Sequence, residues 1–389
     1  MFQLIHHVEI EDKKGSFVEV PFVSDINIEK SIANLADTAT VSFAIFNFNQ
    51  HIFIKDLPDE GNQLYKLFKR GQKIRIFLGY NEELRLEFVG YIKDITTDET
   101  GAKLMCEDEL FIFREKNIPN KTFTPANVKQ IANYVCRLIN PKIKVVCEYD
   151  MGYEKFTIID ATGFDVLSQL QQDTGANIFF KSVFSNAIGN TVQIDESNFR
   201  DQLSGYEYQI SSNNSKFKES TLELHISMPY MKKNTEADCA FSFQHNIETG
   251  QLQYIDSKDN KVKVKVTSVS INGEIRTEEF GSTGGTEKEF KVNRLSKAEM
   301  KKRAKMEHFK LMQPHYTGTF DCWLIPYVEP NYSIIIDDED FPEKDGVYNV
   351  DSVTTSFSEA GGRRTITPGI KLSVDEKSKT DKSKKENEK

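Results

Sequence analysis

Residues 71–80 read GQKIRIFLGY, and residues 81–107 continue NEELRLEFVGYIKDITTDETGAKLMCE. Ile74, Ile76 and Leu78 alternate with Lys73, Arg75 and Phe77, a period of two that puts one face of a strand in a core. Residues 81–85 form a charged turn. Gly90 interrupts the next strand, where a bulge or bend suits a curling sheet. Thr100-Gly101 signals a second turn, and Leu104 and Cys106 resume the alternation. The spacing predicts an antiparallel meander.

A similar pattern returns near the end of the chain. Residues 331–336 read as a strand, 337–344 as a charged connection, 346–353 as a second strand, Gly361-Gly362 as a turn and 364–372 as a third strand. The letters of 90–92 and 346–348 match loosely; the order of elements matches better. We read a degenerate internal duplication of a small β-barrel. Its signature positions are Gly71, Ile74, Ile76, Gly90, Ile92 and Ile95 early, and Ile334, Ile336, Gly346, Val350 and Val353 late. Two unrelated meanders would share this pattern, so letters alone leave both origins open.

Composition narrows the function. The 389 residues suffice for two or three domains. No run approaches the roughly 20 apolar residues of a membrane helix, so no membrane insertion is expected. The start, MFQLIHHVEIEDKK, lacks a basic segment followed by an apolar one, which predicts no signal peptide and assembly in a cytoplasm. Five cysteines without a CxxC pair argue against a disulfide framework or a zinc ribbon. The net charge of −9 disfavours tight nucleic-acid binding, although an acidic wall would let DNA slide past.

Thr38–Phe48 is apolar on both faces, with Val41, Phe43 and Ile45 on one side. A short helix is predicted at Asn62–Arg70. Thr124 and Pro125 read as the start of a helix carrying Val128, Ile131, Val135 and Ile139. Thr162–Asp165 reads as a capping box, with Gly175 closing that helix. Residues 176–181 and 191–194 look like a hairpin. Ser220–Ser227, with Leu222, Leu224 and Ile226 in phase, is expected to take the place in the second half that Val41–Ile45 takes in the first. Ser296–Glu299 opens a helix to about Gln313 whose basic run, Lys301–Lys305, reads as a wet face. Residues 375–389 hold no apolar side chain and are expected to be disordered.

The fold class that follows is α+β, mainly β. Two small antiparallel barrels are expected at 1–115 and 206–374, the second interrupted at about 246–313, with an α+β domain at 116–205. No catalytic constellation is visible. GxSxG and HExxH are absent, and the adjacent His6-His7 point to opposite faces of a strand. Gly281–Gly285 lacks the context of a phosphate loop, and Asp337–Asp340 lacks the spacing of a calcium loop. Carboxylate runs such as Glu107-Asp108-Glu109 read as solvated turns. No catalytic residue, cofactor or metal is expected.

The meander GQKIRIFLGY…FVGYIKDI…GAKLMCED, the middle segment FDVLSQLQQDTGANIFF, the helix SKAEMKKRAKMEHF and the segment YTGTFDCWLIPYVEPNYSIII occur in an order that resembles a known family. It is that of the baseplate hub proteins of contractile-tailed phages, the late control or 43-kDa tail proteins, whose module also begins type VI secretion spike proteins. The family often has Pro-Gly before the last meander; here it is Pro330-Asn331, and Asn tolerates the left-handed conformation. The resemblance implies a homotrimeric ring with pseudo-sixfold symmetry in the virion baseplate. Such a ring joins a tail tube, or its initiator protein, to a separate spike protein and leaves a channel through which DNA passes. Val41, Phe43, Ile45, Leu222, Leu224 and Ile226 are the expected ring-facing or inter-subunit positions. A carbohydrate- or receptor-binding tail module is the alternative, and a cell-wall-degrading tail enzyme is a further one; the single Trp323 gives the former thin support.

Overall fold

The computed structural model describes residues 3–12, 15–20, 23–44, 68–81, 83–97, 101–184, 191–193, 219–228, 237–257 and 260–372. Ile45, most of the helix expected at 62–70, and segment 375–389 lie outside the described residues.

The early part forms β1 (Leu4–Glu11), β2 (Phe17–Glu19), β3 (Val23–Ser31), β4 (Thr38–Ala44), β5 (Lys73–Tyr80), β6 (Glu83–Thr97) and β7 (Gly101–Glu107). β5, β6 and β7 make the antiparallel meander. Ile74, Ile76, Ile92 and Leu104 are fully buried, each side chain contributing about 1.5–3 kcal/mol. Gly90 is required for a reason other than the expected bulge. A Cβ there would lie 2.3 Å from the Glu107 carbonyl oxygen, so only glycine lets β7 come this close. The bulge falls further along, between Ile92 and Asp94.

The middle part contains α1 (Leu110–Glu115), α2 (Val128–Ile139), β8 (Lys144–Cys147), α3 (Gly163–Thr174), β9 (Asn177–Phe184) and β10 (Glu219–Ser227). α3 has the predicted capping box on Thr162 and Asp165, and Gly175 closes it at φ 66°. α2 starts later than Thr124-Pro125 suggests. Its N-cap is Asn127, whose side chain accepts from the Gln130 backbone N–H (2.8 Å) while Gln130 accepts from the Asn127 N–H (3.2 Å). The extended pair Ala126–Asn127 bonds to Gly152–Tyr153 instead of joining the helix. Residues 191–193 pair with β6 at Glu83–Arg85, not with β9, so the expected hairpin is absent among the described residues.

The late part supplies β11 (Cys239–Ser242), β12 (Thr249–Gly250), β13 (Gln253–Ile255), β14 (Val262–Val269), β15 (Ile275–Gly281), β16 (Thr286–Asn293) and α4 (Lys297–Met312). β17 (His315–Thr317), β18 (Phe320–Cys322), β19 (Ser333–Asp337), β20 (Gly346–Ser358) and β21 (Gly361–Lys371) follow. Val264, Val266, Val292, Met300 and Ala304 share one core with α2 and α3. Residues 262–312 thus pack on the middle part, whereas β12 and β13 return to β18 and β17. Arg303 departs from the wet basic face expected of α4. It is 5% exposed, donates to the Thr174 carbonyl (2.6 Å) and pairs with Glu307 (2.8 Å).

Asp173, at the end of α3, ties the middle part to β16. It accepts from the Asn293 backbone N–H (2.8 Å) and from the Tyr153 hydroxyl (3.2 Å). Burial raises its carboxyl to about 6, against the lowering effect of those hydrogen bonds. The folded chain therefore keeps a proton that the unfolded chain has already released. This contribution to stability is present below the unfolded value of about 4 and is lost as pH rises through about 6. Asp173→Asn, uncharged and isosteric, is expected to melt like the parent near pH 4. It should be more stable above pH 7 by up to about 3 kcal/mol, as thermal melts across that range would show. Parallel curves for the two proteins would refute the assignment.

The main sheet runs β12-β18-β21-β20-β3-β4-β7-β6-β5-β1-β2. Among the described residues it does not close on itself, so two separate closed barrels are not seen. The early and late meanders instead form one sheet through antiparallel pairing of β3 with β20.

The two meanders share a register. Gly71 N–H donates to the Ile92 carbonyl and Ile92 N–H to the Gln72 carbonyl; Asn331 N–H donates to the Val350 carbonyl and Val350 N–H to the Tyr332 carbonyl. Gly71 (φ 85°) and Asn331 (φ 69°) are both left-handed. Ile74 stands opposite Gly90, and Ile334 opposite Tyr348. Each second strand then shifts register at the same place, between Ile92 and Asp94 and between Val350 and Ser352. Beyond it Ile95 faces Leu104, as Val353 faces Ile366. Gly90 therefore corresponds to Tyr348, not to Gly346 as the letters suggest, and the bulge is part of the repeated pattern.

Candidate functional site at the junction of the two meanders

The strands expected to face a neighbour are instead consumed inside the chain. Val41 and Phe43 are 0% and 7% exposed, and β4 is paired on both edges, by β3 and β7. Leu222, Leu224 and Ile226 are 8%, 0% and 0% exposed. Their strand, β10, lies between β8 and β9 in the middle part, not in the late sheet. The break between middle and late parts thus falls after Ser227 rather than at 205/206. The late counterpart of β4 is β18, where Phe320 meets Ile366 as Val41 meets Leu104. Ile45 is not described.

The structure brings together a set of charged residues that the sequence reading did not single out. A second bulge in β6 leaves Glu87 unpaired, since Ile76 faces Phe88 and Phe77 faces Leu86. Strict alternation with Leu86 and Phe88 would turn Glu87 away from the core; the bulge re-aims it inward. There it meets Arg364 of β21. The guanidinium donates to both Glu87 oxygens (3.0 and 2.5 Å), to the Thr355 hydroxyl (3.0 Å) and, through Nε, to the Leu324 carbonyl (3.0 Å). The two side chains are 1% and 2% exposed. Burial works against the Arg364 charge, but Glu87 outweighs it and holds the group more firmly protonated than usual. Arg364 was legible in part, because it falls in phase with Ile366 and Ile370.

Around this pair the two meanders are pinned further. Lys30 of β3 pairs with Glu329 (3.0 Å), and the Tyr327 hydroxyl donates to Glu329 and to the Leu86 carbonyl. Burial opposes the Glu329 charge, yet Lys30 and Tyr327 hold its carboxyl below the ordinary range. Asn177 of β9 donates to the Asn331 side chain (2.6 Å), joining the middle part to the late turn. Lys30, Glu329, Asn177 and Asn331 line a cleft of about 290 Å³ with Asp37 and Asp108. Burial raises the Asp37 carboxyl to about 6, and burial together with Asp37 raises Asp108 well above its usual value.

Glu107-Asp108-Glu109 is not a solvated turn; all three are buried. Glu107 meets Lys93 (2.7 Å) and Arg114, Glu109 meets Lys73 (3.4 Å), and Asp108 accepts from the Leu110 N–H (3.0 Å). Such an arrangement fixes geometry. Among the described residues no group of three or more His, Cys, Asp or Glu is placed to hold a metal ion. His7 sits between Glu9 (3.0 Å) and Glu19 (3.2 Å), while His6 packs on Phe357.

The opposite face of the sheet is polar from β7 across to β21. Register puts Met105, Thr40, Asn27, Ser356 and Arg363 in one row across β7, β4, β3, β20 and β21. Thr38, Glu29, Thr354 and Thr365 form the next. No large apolar side chain except Met105 interrupts these rows.

No family model matches this chain, and no curated protein matches it by sequence. Solved structures do. A tail protein from Neisseria meningitidis MC58 superposes with a TM-score of 0.59 at 11% identity, over 94% of this chain and 96% of that one. The 43 kDa tail protein of prophage MuSo2 from Shewanella oneidensis gives 0.57 at 14% identity, over 95% and 100%. The chain has the fold of phage tail proteins. A component of the Escherichia coli type VI secretion system, described as structurally similar to the T4 tail proteins gp27 and gp5, gives 0.51 at 12% identity, over 93% and 76%. Among the described residues no helix is long and apolar enough to cross a membrane.

Proposed function

We propose that this chain is a baseplate hub: three copies form a ring of six similar halves that joins a sixfold tail tube to a threefold spike. The shared register of the two meanders, with the shift after Ile92 repeated after Val350, carries this reading, because a threefold assembly can present sixfold contacts only if each chain holds the same unit twice. The described residues of 3–107 form one half. Residues 237–255 with 315–371 form the other, and the described segments between make a unit outside the ring.

The polar face built on Thr40, Asn27, Thr354 and Thr365 faces the channel in this reading. Short hydroxyl side chains and scattered carboxylates give a wall that hydrates DNA without holding it, in keeping with the net charge of −9. The ion pairs Glu87–Arg364 and Lys30–Glu329, beside the β3–β20 contact, keep the two halves at a fixed angle, which a rigid collar needs. The role is templating and mechanical.

The purified full chain is expected to be a trimer by native mass, and a ring with a central hole by negative-stain microscopy. A protein that stays monomeric at every concentration up to the highest soluble one would remove this proposal.

A further inference from the structure

The loop between β3 and β4, residues 32–37, leaves its own sheet and enters another core. Leu35 is 8% exposed and packs with Leu110, Phe113 and the buried faces of α2 and α3. Two aspartates hold the loop there. The Asp108 backbone N–H donates to the Asp37 carbonyl (3.0 Å), and the Asp108 side chain accepts from the Leu110 N–H (3.0 Å), where α1 starts. One pair of residues thus fixes the two early segments that reach the middle core.

Both residues line the cleft described above, Asp108 being 7% exposed. The cations around them are already engaged. Lys30, which also faces Asp37, pairs with Glu329; Lys73 pairs with Glu109; Lys93 and Arg114 pair with Glu107. Glu87 is answered by Arg364. From the middle part, Lys181 and Glu148, both exposed, reach the cleft, and His225 sits beside Glu223 (3.0 Å). Charges on both aspartates would therefore lie together, with Glu107 and Glu329 as near neighbours and little water to screen them.

We propose that Asp37 and Asp108 form a proton-operated joint: while protons are held on them, residues 32–37 stay seated in the middle core, and when both carboxyls ionise the loop lifts out. The sheet need not change, because β3 and β4 stay paired. A single chain suffices, so the joint stands apart from the ring. Its direction follows from burial, which holds both carboxyls above the usual range, Asp37 at about 6. The seat is tight below the unfolded value of about 4 and loosens as pH rises through about 6 and beyond.

Hydrogen exchange on the full chain, scored against unstructured-chain rates at each pH, tests this. Protection of the Asp108 and Leu110 amides is expected to fall at least tenfold between pH 5 and pH 8, while amides of β5 and β6 keep theirs. Asp37→Asn/Asp108→Asn keeps a side-chain acceptor for Leu110 and cannot ionise, so the same amides should stay protected across that range. A parent whose protection there is equal at pH 5 and pH 8 overturns the joint, whatever the variant does. A matching fall in α4 and β14–β16 would trace the effect to Asp173, and a fall that persists in the double variant would trace it to another group; either result overturns the joint.

Discussion

Glu87→Ala is expected to cost about 3–5 kcal/mol of stability, because it strands Arg364 as an uncompensated charge in the interior. Arg364 is 1% exposed and cannot reach water without tearing β21 from β20. Its remaining partners, the Leu324 carbonyl and the Thr355 hydroxyl, are neutral. The double change Glu87→Met/Arg364→Leu removes both charges and fills much of the volume, so it should cost far less than either single change. Urea unfolding of the parent, Glu87→Met, Arg364→Leu and the double variant closes the cycle and isolates the coupling. Equal losses in the single and double variants would mean that packing, not charge, joins the halves. The location adds a second expectation. Glu87 belongs to the early meander and Arg364 to the late one, so Glu87→Ala should loosen the β3–β20 contact first. In the proposed hub that contact fixes the angle between halves, and ring yield should fall before the chain unfolds.

Much of the fold was legible because period-two alternation reports which face of a strand is buried. Ile74, Ile76, Ile92, Ile334, Ile336 and Val350 fall in cores where alternation puts them, whereas Val353 joins the same core only through the register shift after Val350. The bulges were not legible. A single extra residue reverses the phase, so Glu87 reads as an outward charge and folds as an inward one. The same limit displaced the alignment of the repeat: Gly90 and Gly346 match as letters, but hydrogen bonding matches Gly90 to Tyr348. The assignment of β10 to the late sheet failed differently. Alternating Leu222, Leu224 and Ile226 show a half-buried strand without naming its partner; β8 and β9, on either side, are far from it in sequence. Charge runs misled for a third reason. Glu107-Asp108-Glu109 is hydrophilic by composition, but Lys93, Arg114 and Lys73 come from other strands and a helix to neutralise it.

Gly175→Ala is expected to be the second most damaging change, at about 3–4 kcal/mol. Two effects add. Gly175 closes α3 at φ 66°, where a Cβ costs about 1–2 kcal/mol. That Cβ would also lie 1.2 Å from Nη1 of Arg303, so the guanidinium must leave. It then gives up its hydrogen bond to the Thr174 carbonyl, a charged bond worth about 1.5–3 kcal/mol, and loosens its pair with Glu307. The consequence is regional. Arg303 is the point where α4 is fastened to the end of α3, so the variant should detach residues 262–312 from the middle part while the main sheet persists. Hydrogen exchange is expected to show faster amides in α4 and β14–β16 and little change in β3–β7. The background decides the cause. In Arg303→Ala, adding Gly175→Ala should cost only the backbone part, about 1–2 kcal/mol. A full additional loss there would show that the guanidinium is not what the glycine makes room for.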